Sequence, residues 1–205
     1  MGMTTVGIVD LGICNLRSVQ QALRYVGAEP VVLRGPDEVR GVPALILPGV
    51  GAFSAAVDVL RGSGFSLAIT EFAASGRPLL GICLGMQLLA SSGEEGGARE
   101  GLGILPGHVR RFPPGVRVPH VGWNRVWPSP AMPLFKEVPD GEYFYFVHSY
   151  CMDPGDPACV AAVTDYCGRF CSAVSRSNVY GVQFHPEKSS RAGLKVLSNF
   201  LQAGR

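Results

Sequence analysis

The segment RPLLGICLGMQLLASS, residues Arg77 to Ser92, joins an apolar run to a helical pattern through Gly81-Ile-Cys-Leu-Gly85. A cysteine between two glycines at such a junction has two interpretations. Cys83 is either a small buried side chain at a tight turn, or a side chain whose sulfur the turn presents for chemistry. The second interpretation matches the nucleophile elbow G-x-S-x-G, with cysteine in place of serine. The elbow needs glycines because neighbouring Cβ atoms would clash in so sharp a turn.

An elbow at this position would activate Cys83 in three ways. The side chain would project from the carboxyl end of a sheet, where open α/β sheets place their ligand sites. The amino end of the following helix would favour the thiolate, which is the reactive form of cysteine. The backbone N–H of Leu84 would be available to donate to an oxyanion.

The segments around this junction alternate between strand and helix patterns over the first half of the chain. Strands are predicted at Thr5–Asp10, Pro30–Leu33, Ala44–Gly49 and Pro78–Ile82. Helices are predicted at Asn15–Gly27, Ala55–Leu60 and Ser66–Ala74. This alternation predicts an α/β fold with an open, mostly parallel sheet flanked by helices.

The second half differs, because Pro and Gly are dense from Leu102 to Ser175 and helical patterns are weak there. A more antiparallel region is predicted, with one closing helix at Ala192–Ala203. Its strands are predicted at Glu142–Tyr150, Val160–Asp165, Phe170–Ser175 and Val179–Phe184. Since no internal repeat or low-complexity linker interrupts the chain, residues 1–205 are expected to form a single domain.

Composition excludes several classes of protein. The 205 residues are 47% hydrophobic and 17% charged, which is typical of a folded globule, and the net charge of +2 gives little attraction to nucleic acid. Without a long apolar run or a signal peptide, we expect no membrane contact and a cytoplasmic location. The six cysteines include no C-x-x-C pair and no zinc spacing, so reduced thiols are expected, with no metal and no cofactor.

A cysteine nucleophile requires a base, and His185 is the best candidate among the four histidines. It follows the apolar run VYGVQF and opens HPEKS. In extended chain, residues two apart face the same side, so Glu187 could orient the His185 imidazole while its other nitrogen meets sulfur. His108, His120 and His148 have no such partner in the sequence.

A glycine-rich turn in ILPGVGAF, residues Ile46 to Phe53, could supply a second oxyanion donor. Glycines let a backbone approach a ligand closely and expose its N–H groups. An ordinary loop between a strand and a helix would use the same glycines.

These motifs together resemble the triad-type, or class I, glutamine amidotransferases, which hydrolyse the side-chain amide of glutamine and pass ammonia to a synthase. Four further stretches resemble the glutaminase subunits of imidazole glycerol phosphate synthase in histidine biosynthesis. They are VDLGICNLRSV (Val9–Val19), GLGILPGHV (Gly101–Val109), VPHVGWN (Val118–Asn124) and YFVHSY (Tyr145–Tyr150). The resemblance runs from Val6 to Leu201 and implies a flavodoxin-like sheet.

The resemblance implies a role for each matching residue. Cys83 would be the nucleophile, His185 the base and then the acid, and Glu187 the group that orients it. The oxyanion hole would comprise Val50, Gly51 and Leu84. The glutamine pocket would comprise Gly49, Gln87, Glu95, His148 and Ser149. The face toward the synthase would comprise Asn15, Trp123, Asn124, Tyr145 and Lys188.

The implied partner is a (β/α)₈ barrel cyclase, which forms a heterodimer with this chain and receives its ammonia. The implied substrate is L-glutamine. From the residue types alone, Trp123 and Tyr145 could equally be core aromatics. The opening DLGICNL departs from the family's usual Asp-Tyr-Gly-x-Gly-Asn-Leu at Leu11 and Cys14, which leaves the details of this loop open.

Other functions stay open at this stage. One is a glutaminase subunit for another synthase, such as that of pyridoxal phosphate synthesis, although PHVGWN argues against it. A second is a stand-alone cysteine hydrolase of γ-glutamyl amides, and a third is a binding module without catalysis. Nucleotide binding is disfavoured, because GGAREGL (Gly96–Leu102) has leucine where a P-loop needs lysine.

Overall fold

The computed structural model describes residues 3–12, 15–130 and 132–203. Two sheets and five α-helices form within these residues. The first eight strands are β1 (Thr4–Val9), β2 (Ala28–Leu33), β3 (Ala44–Gly49), β4 (Leu79–Cys83), β5 (Ser92–Gly93), β6 (Arg99–Glu100), β7 (Gly107–Arg111) and β8 (His120–Pro128). The other strands are β9 (Glu142–His148), β10 (Tyr150–Pro154), β11 (Val160–Asp165), β12 (Arg169–Arg176) and β13 (Val179–Val182).

The α-helices alternate with strands early in the chain and return only at its end. They are α1 (Leu16–Tyr25), α2 (Phe53–Gly62), α3 (Phe65–Ala74), α4 (Leu84–Leu88) and α5 (Ser190–Gln202). Short 3₁₀ turns lie at Pro36–Gly41, Pro133–Phe135, Pro157–Cys159 and Pro186–Lys188. No helix in the described part of the chain is both long and apolar enough to cross a bilayer.

The main sheet has nine strands in the order β2-β1-β3-β4-β13-β12-β11-β8-β9. The neighbours from β2 to β13 pair in parallel, and those from β13 to β9 pair antiparallel. The predicted α/β class, with a parallel first half and a more antiparallel second half, is therefore confirmed. A second sheet of four strands has the order β10-β7-β5-β6.

Helices cover both faces of the main sheet because each presents one apolar side to it. On one face, α1 buries Val19 and Leu23 beside Phe200 of α5. On the other face, α2 and α3 bury Val57 and Phe72, among others. A strand covered on both faces reads as a continuous apolar run, which is why β3 and β4 are buried at every position.

Two sequence expectations about the second half are wrong. The run Glu142–Tyr150 is not one strand, because the chain leaves the main sheet after His148 and enters the second sheet as β10. The long strand β8 was not predicted, since Gly122 and the preceding prolines resemble a loop. The expected strand at Val179–Phe184 ends early, at Val182.

The corner between β4 and α4 packs backbone directly against backbone. A Cβ added to Gly85 would lie 1.7 Å from the Leu47 carbonyl oxygen, and one added to Gly81 would lie 2.7 Å from Gly85 itself. These contacts seat the start of α4 on β3 and so fix the position of the residue between them, Cys83.

Candidate active site

Cys83 occupies the turn between β4 and α4 in a strained conformation, with φ 55° and ψ −111°. A non-glycine residue in such a sparsely populated region costs about 1–3 kcal/mol, and such residues cluster at functional sites. The strand–turn–helix arrangement is that of a nucleophile elbow. The helix has only five residues, however, so its dipole favours the thiolate less than expected from the sequence.

His185 and Glu187 form a buried pair immediately after β13. Their Nδ1 and Oε1 atoms lie 2.8 Å apart, and both side chains are only 4% exposed. Because β13 pairs in parallel with β4, the ends of both strands bring Cys83 and His185 to the same edge of the sheet. The contact between His185 and Glu187 that their spacing predicted is therefore present in the structure.

The pKa of His185 is raised to about 10. Burial alone would lower it, but the neighbouring Cys83 sulfur and the Glu187 carboxylate both favour the imidazolium and outweigh burial. Nε2 of His185 is buried without a hydrogen bond of normal geometry to any described residue. This atom is therefore the one available to exchange a proton with Cys83.

Two groups contact the Cys83 sulfur. The side-chain amide of Gln183 donates to it at 3.6 Å, and the thiol itself donates to the Val147 carbonyl at 3.9 Å. Gln183 was not selected from the sequence. The signal that could have identified it is the alternation Gln183, His185, Glu187, which places three polar groups at every second position of an apolar segment.

A cavity of about 490 Å³ opens beside the Cys83 side chain. Its size is that of a small-molecule site. Seven other residues expected in the oxyanion hole or the glutamine pocket line it together with Cys83, namely Val50, Gly51, Leu84, Gln87, Glu95, His148 and Ser149. Gly49 lies apart from this lining, and a Cβ there would come within 2.9 Å of the Leu84 Cβ. Gly49 therefore serves close packing of the turn.

Gln87 is held by the protein at both amide hydrogens. Its Nε2 donates to the Tyr150 carbonyl at 2.9 Å and to Oε1 of Gln183 at 3.0 Å. Its own Oε1 is the atom that remains to accept a hydrogen bond from a ligand in the cavity.

Glu95 places a carboxylate at the amino end of α2. Its Oε2 accepts a hydrogen bond from the Phe53 N–H at 3.0 Å. Burial raises the pKa of this carboxyl group, and the bond to Phe53 opposes the rise. The group is half-buried, so it can offer negative charge to a cationic part of a ligand without full desolvation.

His148 begins a chain of hydrogen bonds that leads away from the cavity. Its Nδ1 donates to the Tyr150 carbonyl at 2.8 Å, and its Nε2 lies 3.1 Å from Nδ1 of His120. Asn124 then lies 3.3 Å from His120 Nε2 and donates to the Asp165 carbonyl. Since a carbonyl only accepts, neutral His148 carries its proton on Nδ1, and His120 must donate to it.

The expected synthase-facing residues divide into two groups. Trp123 is 52% exposed, which contradicts its alternative as a core aromatic. It meets Tyr145 edge to face at 6.1 Å, and Lys188 lies 5.9 Å above the Tyr145 ring. Asn15 lies near Lys188 around a small cavity behind the turn. Asn124 differs, because its amide points to His120 inside the sheet.

The departures from the usual opening motif are only partly described. Leu11 is 5% exposed and belongs to the core, which explains an aliphatic residue there. Cys14 lies outside the described residues. The five cysteines that are described are all unpaired thiols, and no cluster of His, Cys, Asp or Glu in the described ranges has the arrangement of a metal site.

Comparison with known proteins places this geometry in a family. A family model described as glutamine amidotransferase class-I matches residues 7–203. The chain belongs to the class-I glutamine amidotransferases. The resemblance drawn from its motifs is thereby confirmed.

Curated relatives of this class-I amidotransferase carry one shared description. The imidazole glycerol phosphate synthase subunit HisH of Moorella thermoacetica is 51% identical over 97% of this chain and 94% of its own length. The protein of the same description from Chlorobaculum tepidum is 49% identical over 95% of this chain and 98% of its own. The predicted similarity to this subunit group is therefore confirmed as well.

Solved structures support the fold independently. A crystal structure described as glutamine amidotransferase superposes with a TM-score of 0.78 at 22% identity, covering 97% of this chain and 98% of its own. The structure of PurLQS from Thermotoga maritima matches with a TM-score of 0.77 at 20% identity, covering 98% of each chain. At these identities the matches establish the fold of the amidotransferase alone.

Proposed function

We propose that this class-I amidotransferase is the glutaminase subunit of an imidazole glycerol phosphate synthase. It hydrolyses L-glutamine to glutamate and ammonia and delivers the ammonia to a cyclase subunit. The observation that carries the chemistry is the strained Cys83 at the wall of a ligand-sized cavity, beside the buried His185–Glu187 pair. The identity of about 50% with synthase subunits supports the choice of synthase.

Acyl transfer follows from these positions. The proton given up by Cys83 resides on Nε2 of His185, as the raised pKa of this imidazole favours, and the thiolate attacks the amide carbon of glutamine. The backbone N–H groups of Leu84 and Val50 donate to the tetrahedral oxyanion. His185 then returns its proton to the leaving nitrogen, which departs as ammonia and leaves a γ-glutamyl thioester. Water, deprotonated by His185, hydrolyses the thioester to glutamate and regenerates the thiol.

Glu187 serves this cycle by holding the imidazole in one orientation. Its hydrogen bond to Nδ1 keeps Nε2 directed at the sulfur and stabilises the imidazolium that forms in each step. Two other groups in the cavity lining suit the rest of the substrate. The Glu95 carboxylate complements the α-ammonium group of glutamine, and Oε1 of Gln87 accepts from a substrate N–H.

The partner in this proposal is a (β/α)₈ barrel cyclase that docks on the surface formed by Asn15, Trp123, Tyr145 and Lys188. The small cavity lined by Asn15, Gly49 and Lys188 also touches His185, so ammonia released at the catalytic pair has a short path to that surface. No cofactor is required. A cytoplasmic heterodimer suits the unpaired thiols of the chain, because reducing compartments keep cysteines free.

The direct test is glutamate release from glutamine by the purified chain, alone and with the cyclase subunit and its nucleotide ligand. We expect strong release only in the complex. Strong release by the chain alone would favour a stand-alone hydrolase of γ-glutamyl amides. Silence in both assays would favour a synthase of another pathway or a binding module.

Cys83→Ala should lower glutamine hydrolysis in the complex to background, because the thiol proposed to form the thioester is removed and no other described cysteine lines the cavity. The same complex should still make product when supplied with ammonia, since the cyclase site is untouched. Cys167→Ala is the matched control, because this exposed thiol lies outside the cavity and its removal should leave turnover unchanged. Residual hydrolysis by Cys83→Ala would end the assignment of the nucleophile.

A further inference from the structure

Gln183 is an unexplained polar side chain beside the nucleophile. It lies in the segment between β13 and His185, is fully buried and does not line the ligand cavity. Its Nε2 lies 3.6 Å from the Cys83 sulfur. Burying a primary amide is costly unless both of its ends are hydrogen-bonded, so this position has a requirement that an apolar residue would not meet.

The orientation of the Gln183 amide is determined by its neighbours. The Tyr150 carbonyl only accepts, so the atom of Gln87 that faces it is Nε2. The same Nε2 donates its second hydrogen to Gln183, which therefore presents Oε1 on that side. The remaining end of the Gln183 amide, an N–H donor, must face the sulfur. The hydrogen-bonding pattern thus excludes the flipped amide.

We infer that Gln183 orients the Cys83 sulfur and stabilises its anionic form by donating a hydrogen bond to it. The inference rests on the proposed role of Cys83 as nucleophile. Cys83 is only 5% exposed, so water provides less of the solvation that a thiolate would have at the surface. A fixed amide donor supplies part of that solvation without reorganising during the reaction.

The second contact of the sulfur behaves in the opposite way. The Val147 carbonyl accepts from the Cys83 thiol at 3.9 Å, which requires the thiol hydrogen. Once His185 has taken this proton, the carbonyl dipole repels the anion, while the Gln183 N–H attracts it more strongly than before. Gln183 is therefore the contact that persists when the nucleophile is ionised.

The test replaces Gln183 by methionine, which has a similar length and no donor. The first readout is the alkylation rate of Cys83 by iodoacetamide from pH 6 to 10, followed by mass spectrometry of its peptide. We expect the profile of Gln183→Met to move to higher pH by about one unit. The other titratable groups around the sulfur are the same in both proteins, namely His185 beside it and Glu95, His148 and Tyr150 in the lining of the same cavity.

The second readout is turnover in the complex with the cyclase. We expect kcat to fall roughly 10- to 100-fold, the range for losing a hydrogen bond to a charged group. KM should change less than about threefold, because Gln183 lies outside the cavity lining. Ser172→Ala is the matched control, since this hydroxyl is equally buried on the adjacent strand and has no hydrogen-bond partner among the described residues.

An unchanged alkylation profile and kcat in a folded Gln183→Met protein would overturn the inference. If that variant does not fold, Gln87→Met supplies the test, since it releases the amide of Gln183 and should shift the alkylation profile in the same direction. Glutaminase activity of the wild-type complex tests the proposed function separately. A wild-type complex without glutaminase activity would refute that function. An active wild-type complex, together with a Gln183→Met variant of unchanged alkylation profile and kcat, would refute only the role of Gln183.

Discussion

Three buried histidines within one site have opposite affinities for protons. The pKa of His185 is raised to about 10, whereas the pKa of His148 is lowered to about 3 and that of His120 to about 4. Burial lowers the pKa of all three, but of these histidines only His185 has Cys83 and Glu187 beside it, and both favour its charged form. His148 and His120 face a carbonyl and each other, so both are neutral near pH 7.

The neutral pair should make the fold sensitive to acid. In the unfolded chain a histidine takes up its proton near pH 6.5, but His148 and His120 in the folded protein do not do so until about pH 4 or below. The unfolded state therefore binds more protons in this window, and stability is lost as the pH falls from 6.5 toward 4. His185 does not share in this loss, because its folded pKa of about 10 keeps it protonated throughout the window while the unfolded chain protonates it near pH 6.5.

His120→Gln should reduce this loss of stability, because glutamine can still donate to His148 but takes up no proton. We expect the free energy of unfolding to fall less steeply between pH 6.5 and 4 in the variant than in the wild type. Urea denaturation at a series of pH values measures both slopes. Equal slopes would mean that His120 is protonated in the folded state.

The sequence was informative about residues whose partners are close in the chain. The spacing of His185 and Glu187 indicated that they form a pair. The glycines on either side of Cys83 indicated that it lies at a tight turn. The network of Gln183, Gln87 and His120 could not be predicted, because each contact joins elements that are far apart in sequence. The sequence around a buried amide or imidazole does not indicate which distant residue it will hydrogen-bond.

At the level of elements, the corner of β4 and α4 depends on the absence of side chains. Gly85 touches the Leu47 carbonyl so closely that a methyl group cannot be added without moving α4. Because Cys83 precedes this helix, the same movement would displace this proposed nucleophile from His185. Packing and catalysis therefore impose the same requirement on one residue.

Gly85→Ala should destabilise the protein by about 3 kcal/mol or more, since overpacking against backbone cannot be relieved by a rotamer change. Gly62→Ala is the matched control at the end of α2, where a Cβ has open space. That change should be neutral or stabilise by roughly 0.5–1 kcal/mol. Thermal and urea unfolding compare the two variants. Similar stability of both would refute the clash at Gly85.

Strand β8 shows why part of the fold was missed. Its polar residues His120 and Asn124 face inward, while Val121, Trp123 and Trp127 are exposed. The pattern alternates as a strand should, but with the apolar side outward. A rule that assigns apolar residues to the core misjudges such a strand, because its exposed side is suited to a partner.

For the whole molecule, the outer side of β8 and β9 is a continuous aromatic surface. Trp123 and Tyr145 are paired across the two strands, and Arg125 stacks on the Tyr143 ring beside them. Large exposed aromatics flanked by cations are typical of the centre of an interface. This surface is the one on which the cyclase is proposed to dock.

Trp123→Ala should weaken binding of the cyclase roughly 10- to 100-fold, as expected for a central aromatic anchor. Leu67→Ala is the matched control, because Leu67 is an exposed apolar residue on α3. Isothermal titration calorimetry of both variants against the cyclase gives the comparison. Equal affinities would place the docking surface elsewhere on the molecule.

The position of β13 between β4 and β12 also determines when the site can exist. Strand β4 and its cysteine are synthesised before β13, the strand that carries His185 into place. A nascent chain therefore contains Cys83, the proposed nucleophile, before the segment that carries His185 has been made. Pairings between such distant segments also form slowly. The order of synthesis thus prevents glutamine breakdown until β13 has paired with β4. This restraint acts earlier than any control that the partner exerts when it binds.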